Sequence, residues 1–314
     1  MSKVRIVFMG TPEFAVCSLE KLIVDEHFEI VGVVTQPDRP AGRNMKLTSS
    51  PVKVLAEKSG LKVYSPESVN TEEFRLEIQS LKAESAAVVA FGQILGQKFL
   101  DLFPLGCVNI HGSILPKWRG AAPIQRAIMN DDPVSGVSLQ LVVKKLDAGD
   151  VLGIRKLKLN DEMNAQSLHD QLKVLGADLL NVEYMDYLRG HAIGQPQDEA
   201  QVSIAPKISK AEARINWKLS AREIFCQIRG LAMGPQAYAM RDSKSLKIHR
   251  VQIQALKNMG KAPGEIVDVG QQSFVVACGS GALEVLELQP ESKAKMMTAD
   301  YLRGYPAKVG EVLT

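Results

Sequence analysis

The first 190 residues alternate two kinds of pattern, and that alternation leaves few folds open. Short apolar runs at residues 4–9, 30–35, 86–91, 107–111 and 138–143 have the length of buried strands, and most are separated by helical-type stretches. The pattern is clearest at the start. Gly10 turns the chain, Thr11 is placed to cap, and Pro12 sits where a missing N–H costs nothing. Phe14/Ala15, Ser18/Leu19 and Leu22/Ile23 then recur at helical spacing. Strand, helix and second strand make a βαβ unit, and its repetition gives an α/β domain with a mostly parallel sheet. Further helices are expected at 51–59 (ended by Gly60), from a cap at Asn70 or Thr71 to about 81, from Pro123 to Met129, and at 165–188. Residues 63–64 read as a short strand, 133–136 as a turn and 152–159 as an outer strand. A dinucleotide site would carry Gly-x-Gly-x-x-Gly at the first turn. Only one glycine is there, and Pro12 removes an amide donor, so the domain is Rossmann-like without the NAD fingerprint.

The pattern changes after residue 190. Residues 190–206 are polar, carry two prolines and read as a linker. Ser220 and Glu223 form a capping box for one short helix, and short strands follow at 236–240, 246–253, 264–269, 274–278 and 283–288. Five short strands with one helix suit a small OB-like β-barrel, a fold often used on nucleic acid. The organisation expected is therefore 1–189, a linker at 190–206, and a second domain at 207–314, which suits a chain of 314 residues. Charge follows the same division. Residues 207–261 hold 12 Lys and Arg against 3 Asp and Glu; the whole chain is only +3, so the remainder is −6. A basic second half suggests a polyanionic partner. No apolar run is long enough to span a membrane, and the amino terminus reads as a strand, not a signal peptide. Four cysteines without pairing or zinc-site spacing fit a reducing compartment, so a cytoplasmic protein without a metal is expected; a monomer is expected as well.

Residues 106–126 read GCVNIHGSILPKWRGAAPIQR. If 107–111 is a strand, Asn109 and His111 share a face at its carboxyl end, followed by an irregular loop and a helix starting near Pro123. In open α/β sheets ligands sit there. A single histidine after a strand is more often structural, and an asparagine often serves only to cap a turn. The whole string, with Leu146-Asp147-Ala148-Gly149-Asp150 further on, resembles the 10-formyltetrahydrofolate-dependent formyltransferases, most closely the branch acting on methionyl-tRNA. The resemblance extends to Phe8-Met9-Gly10-Thr11-Pro12-Glu13-Phe14-Ala15, to Thr35-Gln36-Pro37-Asp38-Arg39-Pro40-Ala41-Gly42-Arg43, and to Ala213-Arg214-Ile215-Asn216-Trp217.

That resemblance implies formyl transfer from 10-formyltetrahydrofolate to the methionine amine of initiator Met-tRNA, in service of translation initiation. It implies Asn109, His111 and Asp147 as the catalytic set. It places the folate along Ser113, Ile114, Leu115 and Pro116, near Phe91 and Val142. The second domain becomes the tRNA-binding domain, with Lys207 and Lys210 at its start. The long basic connection at 36–50 becomes a tRNA contact through Arg39, Arg43 and Lys46. The residue types suit the chemistry, since a developing oxyanion needs donors and the leaving nitrogen needs a proton. Without the motif, Asp147 would read as a turn aspartate. The Leu115-Pro116 bond is open to either isomer. Departures from the family pattern are Val143 and Lys145, where an acidic residue and a glycine are usual, Phe91-Gly92 in place of Tyr-Gly, and the absence of a tryptophan in 231–235. His27, His169, His191 and His249 lack partners at ligand spacing. Competing readings are a relative acting on an amino sugar or glycinamide ribonucleotide, and a non-catalytic RNA-binding protein.

Overall fold

A computed structural model describes residues 3–41, 45–254 and 260–314. The chain divides into two compact units: residues 1–120, 134–157 and 169–205, and residues 121–133, 158–168 and 206–314.

The first unit is built on β1 (Val4–Gly10), whose residues Ile6, Val7, Phe8 and Met9 are wholly buried. Helix α1 (Glu13–Val24) returns the chain to β2 (Phe28–Val34), parallel to β1. The 36–50 connection is not a bare loop. It folds back as a hairpin of β3 (Arg39–Ala41) and β4 (Lys46–Thr48). Then come α2 (Pro51–Lys58), β5 (Val63–Tyr64), α3 (Glu72–Ser80), β6 (Ser85–Val89), α4 (Gln97–Leu100), β7 (Cys107–His111) and β8 (Arg119–Gly120). Helix α5 (Pro123–Met129) falls in the second unit, after which β9 (Val134–Leu141) and β10 (Val151–Lys158) complete a sheet ordered β10-β9-β7-β6-β1-β2-β5. Helix α6 (Ala165–Leu188) covers one face; its Tyr184 is fully buried, stacks 5.4 Å from Phe28 and donates to Ser85 Oγ at 2.8 Å. Burial of that kind is worth about 1.5–3 kcal/mol per large apolar side chain.

Pairing is parallel from β5 across to β7 and turns antiparallel between β7 and β9. Strands β2 and β5 lie to one side of β1, and β6 and β7 to the other. The connections after β1 and β6 therefore diverge and open a crevice at the carboxyl ends of the strands. Thr11 laces that edge: its Oγ1 donates to Phe91 O at 2.9 Å and accepts from Gln36 N at 3.2 Å. It does not cap α1, whose N-cap is Pro12 with no side-chain cap bond.

Several boundaries differ from those read in the sequence. Thr71, not Asn70, caps α3, while Asn70 accepts from Gly96 N and donates to Ile94 O. Strand β6 stops at Val89 because Ala90 takes a left-handed φ of 47°, which leaves Phe91 beyond it. The turn expected at 133–136 is largely the start of β9. Gly136 is required there because a Cβ would lie 2.2 Å from Arg155 O on β10. Residues 190–205, most of the stretch read as a linker, belong to the first unit: Gln195 exchanges backbone bonds with Val151, and β11 (Ile204–Ala205) pairs in parallel with β8.

The second unit contains α7 (Ala221–Gly230), with the Ser220–Glu223 capping box formed as expected. Its strands are β12 (Tyr238–Arg241), β13 (Lys244–Gln254), β14 (Ile266–Val269), β15 (Phe274–Ala277), β16 (Ala282–Pro290) and β17 (Met296–Met297), followed by α8 (Thr298–Gly304). The antiparallel order is β12-β13-β16-β15-β14, with β17 on β16. The carboxyl-terminal tail joins the two outer strands: Ile266 N donates to Glu311 O and Met240 N to Thr314 O. An OB-like barrel results, with its free edges covered. Trp217, Ile224, Phe274, Leu283 and Val285 are among the residues that fill it.

Candidate functional site

The site grows from β7. On this strand Ile110 faces α6, where it packs against Gly176. Asn109 and His111, of opposite parity, emerge on the other face. Antiparallel pairing sets Gln140 opposite Asn109 and Ser138 opposite His111, so all four side chains share a face. His111 is 6% exposed. Its Nε2 lies 2.8 Å from Trp118 O, and a carbonyl can only accept, so Nε2 carries a proton. Nδ1 then faces Asp147 Oδ2 at 3.6 Å, within ion-pair reach.

Asp147 stands in the turn between β9 and β10 with a left-handed φ of 48°, a conformation aspartate tolerates better than most residues. Its Oδ2 accepts from Gly120 N at 2.8 Å and its Oδ1 from Gln140 Nε2 at 3.0 Å. The Asn109 side-chain amide makes no hydrogen bond among the described residues and is free to meet a ligand. The structure thus brings together the three residues of the expected catalytic set, within the first unit.

The loop after β7 is held from beneath. Ser138 Oγ donates to Ser113 O at 2.8 Å and accepts from Leu115 N at 3.0 Å; Ser113 Oγ donates to Lys117 O at 2.6 Å. Leu115-Pro116 is cis. Ser113 and Leu115 are buried, and Ile114 and Pro116 partly exposed. Phe91 is 2% exposed, with its carbonyl turned to Thr11 and Gln36, and Val142 packs against the same apolar cluster. Arg39 is exposed and ion-paired with Glu67 at 2.8 Å; Lys46, Lys207 and Lys210 are exposed. Arg43 lies outside the described residues.

Other residues of the site escape a motif search. Gln140 and Ser138 are buried polar side chains two apart in an apolar strand, a signal that was available in the sequence. Gln197, Arg119 and Glu199 were less visible, since two of them sit in the stretch read as a linker. Gln197 Nε2 reaches Asp147 O at 2.9 Å and Gly149 O at 2.7 Å, and Arg119, 2% exposed, bonds Gln197 Oε1 at 3.0 Å and Glu199 Oε1 at 2.9 Å. Lys145, one of the departures from the family pattern, pairs with Glu199 at 2.7 Å. These contacts hold Glu199 below its ordinary carboxylate range, the hydrogen bond from Lys145 first and that from Arg119 second. Among the described residues no group of three or more His, Cys, Asp or Glu side chains is arranged to hold a metal ion. No helix among them is long and apolar enough to cross a membrane.

Comparison with known proteins agrees over both units. The formyl transferase family profile matches residues 3–182, and that of the formyl transferase C-terminal domain matches residues 207–306. A methionyl-tRNA formyltransferase of Bdellovibrio bacteriovorus is 55% identical over 316 residues, covering 100% of this chain and 99% of that one. One from Moorella thermoacetica is 43% identical, covering 98% and 99%. Among solved structures, an N-formyltransferase from Helicobacter canadensis aligns with a TM-score of 0.68 at 21% identity, covering 91% of this chain and 99% of that one. HypX from Aquifex aeolicus, in complex with tetrahydrofolic acid, aligns with a TM-score of 0.63 at 17% identity, covering 99% of this chain and 49% of that one. At those identities the likeness is one of fold.

Proposed function

The chain belongs to the formyl transferase family, and we propose that Asn109, His111 and Asp147 carry its reaction, the transfer of a formyl group from 10-formyltetrahydrofolate to the methionine amine of initiator methionyl-tRNA. The neutral amine attacks the formyl carbon, a C–N bond forms, and the carbonyl oxygen becomes an oxyanion. The bond to folate N10 then breaks, N10 gains a proton, and the amine loses one. The Asn109 amide stabilises the oxyanion, as a positioned donor does in acyl transfer generally. His111 shares that role and supplies a proton. Asp147 orients the imidazole, balances its charge and receives the amine's proton through water. The observation that carries this reading is the approach of His111 Nδ1 to Asp147 Oδ2 at 3.6 Å, beside Asn109 on the same strand face.

We place the folate along Ser113, Ile114, Leu115 and Pro116, beside Phe91 and Val142. The bonds between the Ser138 hydroxyl and the backbone of Ser113 and Leu115, which hold the loop, support this placement. Arg39, Arg43 and Lys46 on the 36–50 segment, with Lys207 and Lys210, are assigned to the tRNA backbone on the grounds of charge; those among the described residues are exposed. The catalytic domain is taken as 1–189 and the tRNA-binding domain as 207–314, in keeping with the two family matches. A monomeric cytoplasmic enzyme without a resident metal completes the proposal. The test is an acceptor assay with 10-formyltetrahydrofolate and charged initiator tRNA, charged elongator tRNA or an amino-sugar nucleotide. Formylation confined to the initiator supports the assignment. Preference for the sugar overturns it.

A further inference from the structure

Asp147 receives one of its hydrogen bonds from a side chain that no motif marks. Gln140 is 2% exposed, and its Nε2 donates to Asp147 Oδ1 at 3.0 Å. A glutamine amide can present either its N–H or its oxygen, and the oxygen would repel the carboxylate. Four further contacts decide which. Arg119 can only donate, so the Gln197 atom 3.0 Å from Arg119 Nε is oxygen. The Gln197 nitrogen then meets the carbonyls of Asp147 and Gly149, at 2.9 and 2.7 Å, which can only accept. That nitrogen also lies 3.3 Å from the Gln140 amide, which must answer with oxygen and so turns its N–H toward Asp147. Reversing either amide sets donor against donor.

We propose that Gln140 is a positioning residue for formyl transfer: it orients the Asp147 carboxylate toward His111, and its own polarity is imposed by Arg119 through Gln197. The proposal rests on the catalytic role assigned to Asp147. Gly120 N–H holds one carboxylate oxygen from β8 and Gln140 the other from β9, which leaves the carboxylate one orientation. His111 Nδ1 faces it from β7. Lys145 and Glu199 stand behind Arg119, and no other charged side chain bonds the carboxylate among the described residues.

The test uses the full-length enzyme with Gln140→Glu and Gln140→Leu, taking kcat and KM across the neutral pH range with Asp147→Asn as reference. Both variants should lose about 10- to 100-fold in kcat, the scale of a displaced catalytic group, with KM for methionyl-tRNA unchanged. Gln140→Glu keeps the shape and loses the donor. Its activity relative to the parental enzyme should rise as pH falls, because a protonated Glu restores an O–H donor to Asp147. Gln140→Leu lacks any such donor, and its ratio should stay flat. Parental kcat in Gln140→Glu at every pH, with Asp147→Asn inactive, would overturn the proposal and leave Gln140 as filling. An equal, pH-independent loss in both variants together with a lowered melting temperature would overturn it as well. Parental turnover in Asp147→Asn would instead remove the premise about Asp147.

Discussion

Replacing Asp147 with Asn tests the centre of the mechanism with little steric change. Asn tolerates the left-handed φ of 48° at this position as Asp does, so the backbone needs no adjustment. The oxygen that remains can keep either Gly120 N–H or Gln140 N–H, and the new NH2 group must oppose the other. The loss of one hydrogen bond to a charged acceptor costs about 1.5–3 kcal/mol of stability, which leaves a domain of this size folded. Turnover suffers more. A carboxylate 3.6 Å from the imidazole attracts the charged form that supplies the proton by about 4–5 kcal/mol at an effective dielectric constant of about 20. Losing that attraction lowers the rate by up to about 10³-fold, at about 1.4 kcal/mol per decade. The assay is single-turnover formylation of charged initiator tRNA by rapid quench, with a thermal melt as control. Turnover within about threefold of the parental enzyme at neutral pH would refute the assigned role of Asp147.

Asn109→Ala should lower kcat by about 10²–10³-fold with an unchanged melting temperature, because its amide bonds nothing in the described fold; a matched loss of stability and rate would contradict a purely catalytic role. Gly149→Ala should destabilise the enzyme by about 1–3 kcal/mol and raise KM for folate, since the added Cβ would lie 1.8 Å from Leu141 O in the turn that carries Asp147; denaturant melts and steady-state kinetics read both effects. Arg43→Ala should sharply reduce formylation of initiator tRNA with folate binding intact and lower the salt slope by about one phosphate's worth; parental rates across salt would make the 36–50 segment a mere cover. Glu212 is held at about 2, below the ordinary 4.5, first by the hydrogen bond from Arg126 and then by the Ser209 backbone. A lowered folded value means stability present above pH 4.5 that is lost as pH falls toward about 2, so Arg126→Ala should flatten the acid limb of the unfolding curve.

The sequence by itself determined the alternation of strand and helix, and with it the parallel sheet and the placing of Asn109 and His111 at a strand end. Apolar runs of strand length, separated by helical periodicity, are local signals, and period two along 107–111 decides which residues share a face. The capping box at Ser220 and Glu223 was equally legible, since both partners lie within one turn. What only the tertiary structure decided are the contacts between segments far apart in the chain. Thr11 looks like a helix cap and instead binds Phe91 O, 80 residues away, because the crevice edge offers it a carbonyl. Residues 190–206 have the composition of a linker, but β8 presents an unpaired edge that Ile204 and Ala205 fill, and this draws Gln197 under the Asp147 turn. Gln140 is an ordinary strand residue until the antiparallel register sets it beside Asn109. The spacing of Ser138 and Gln140 in an apolar strand marks them as polar positions on one face but does not name their partners. Their role depends on which donor or acceptor the fold places within 3 Å, and that is a property of the packed chain.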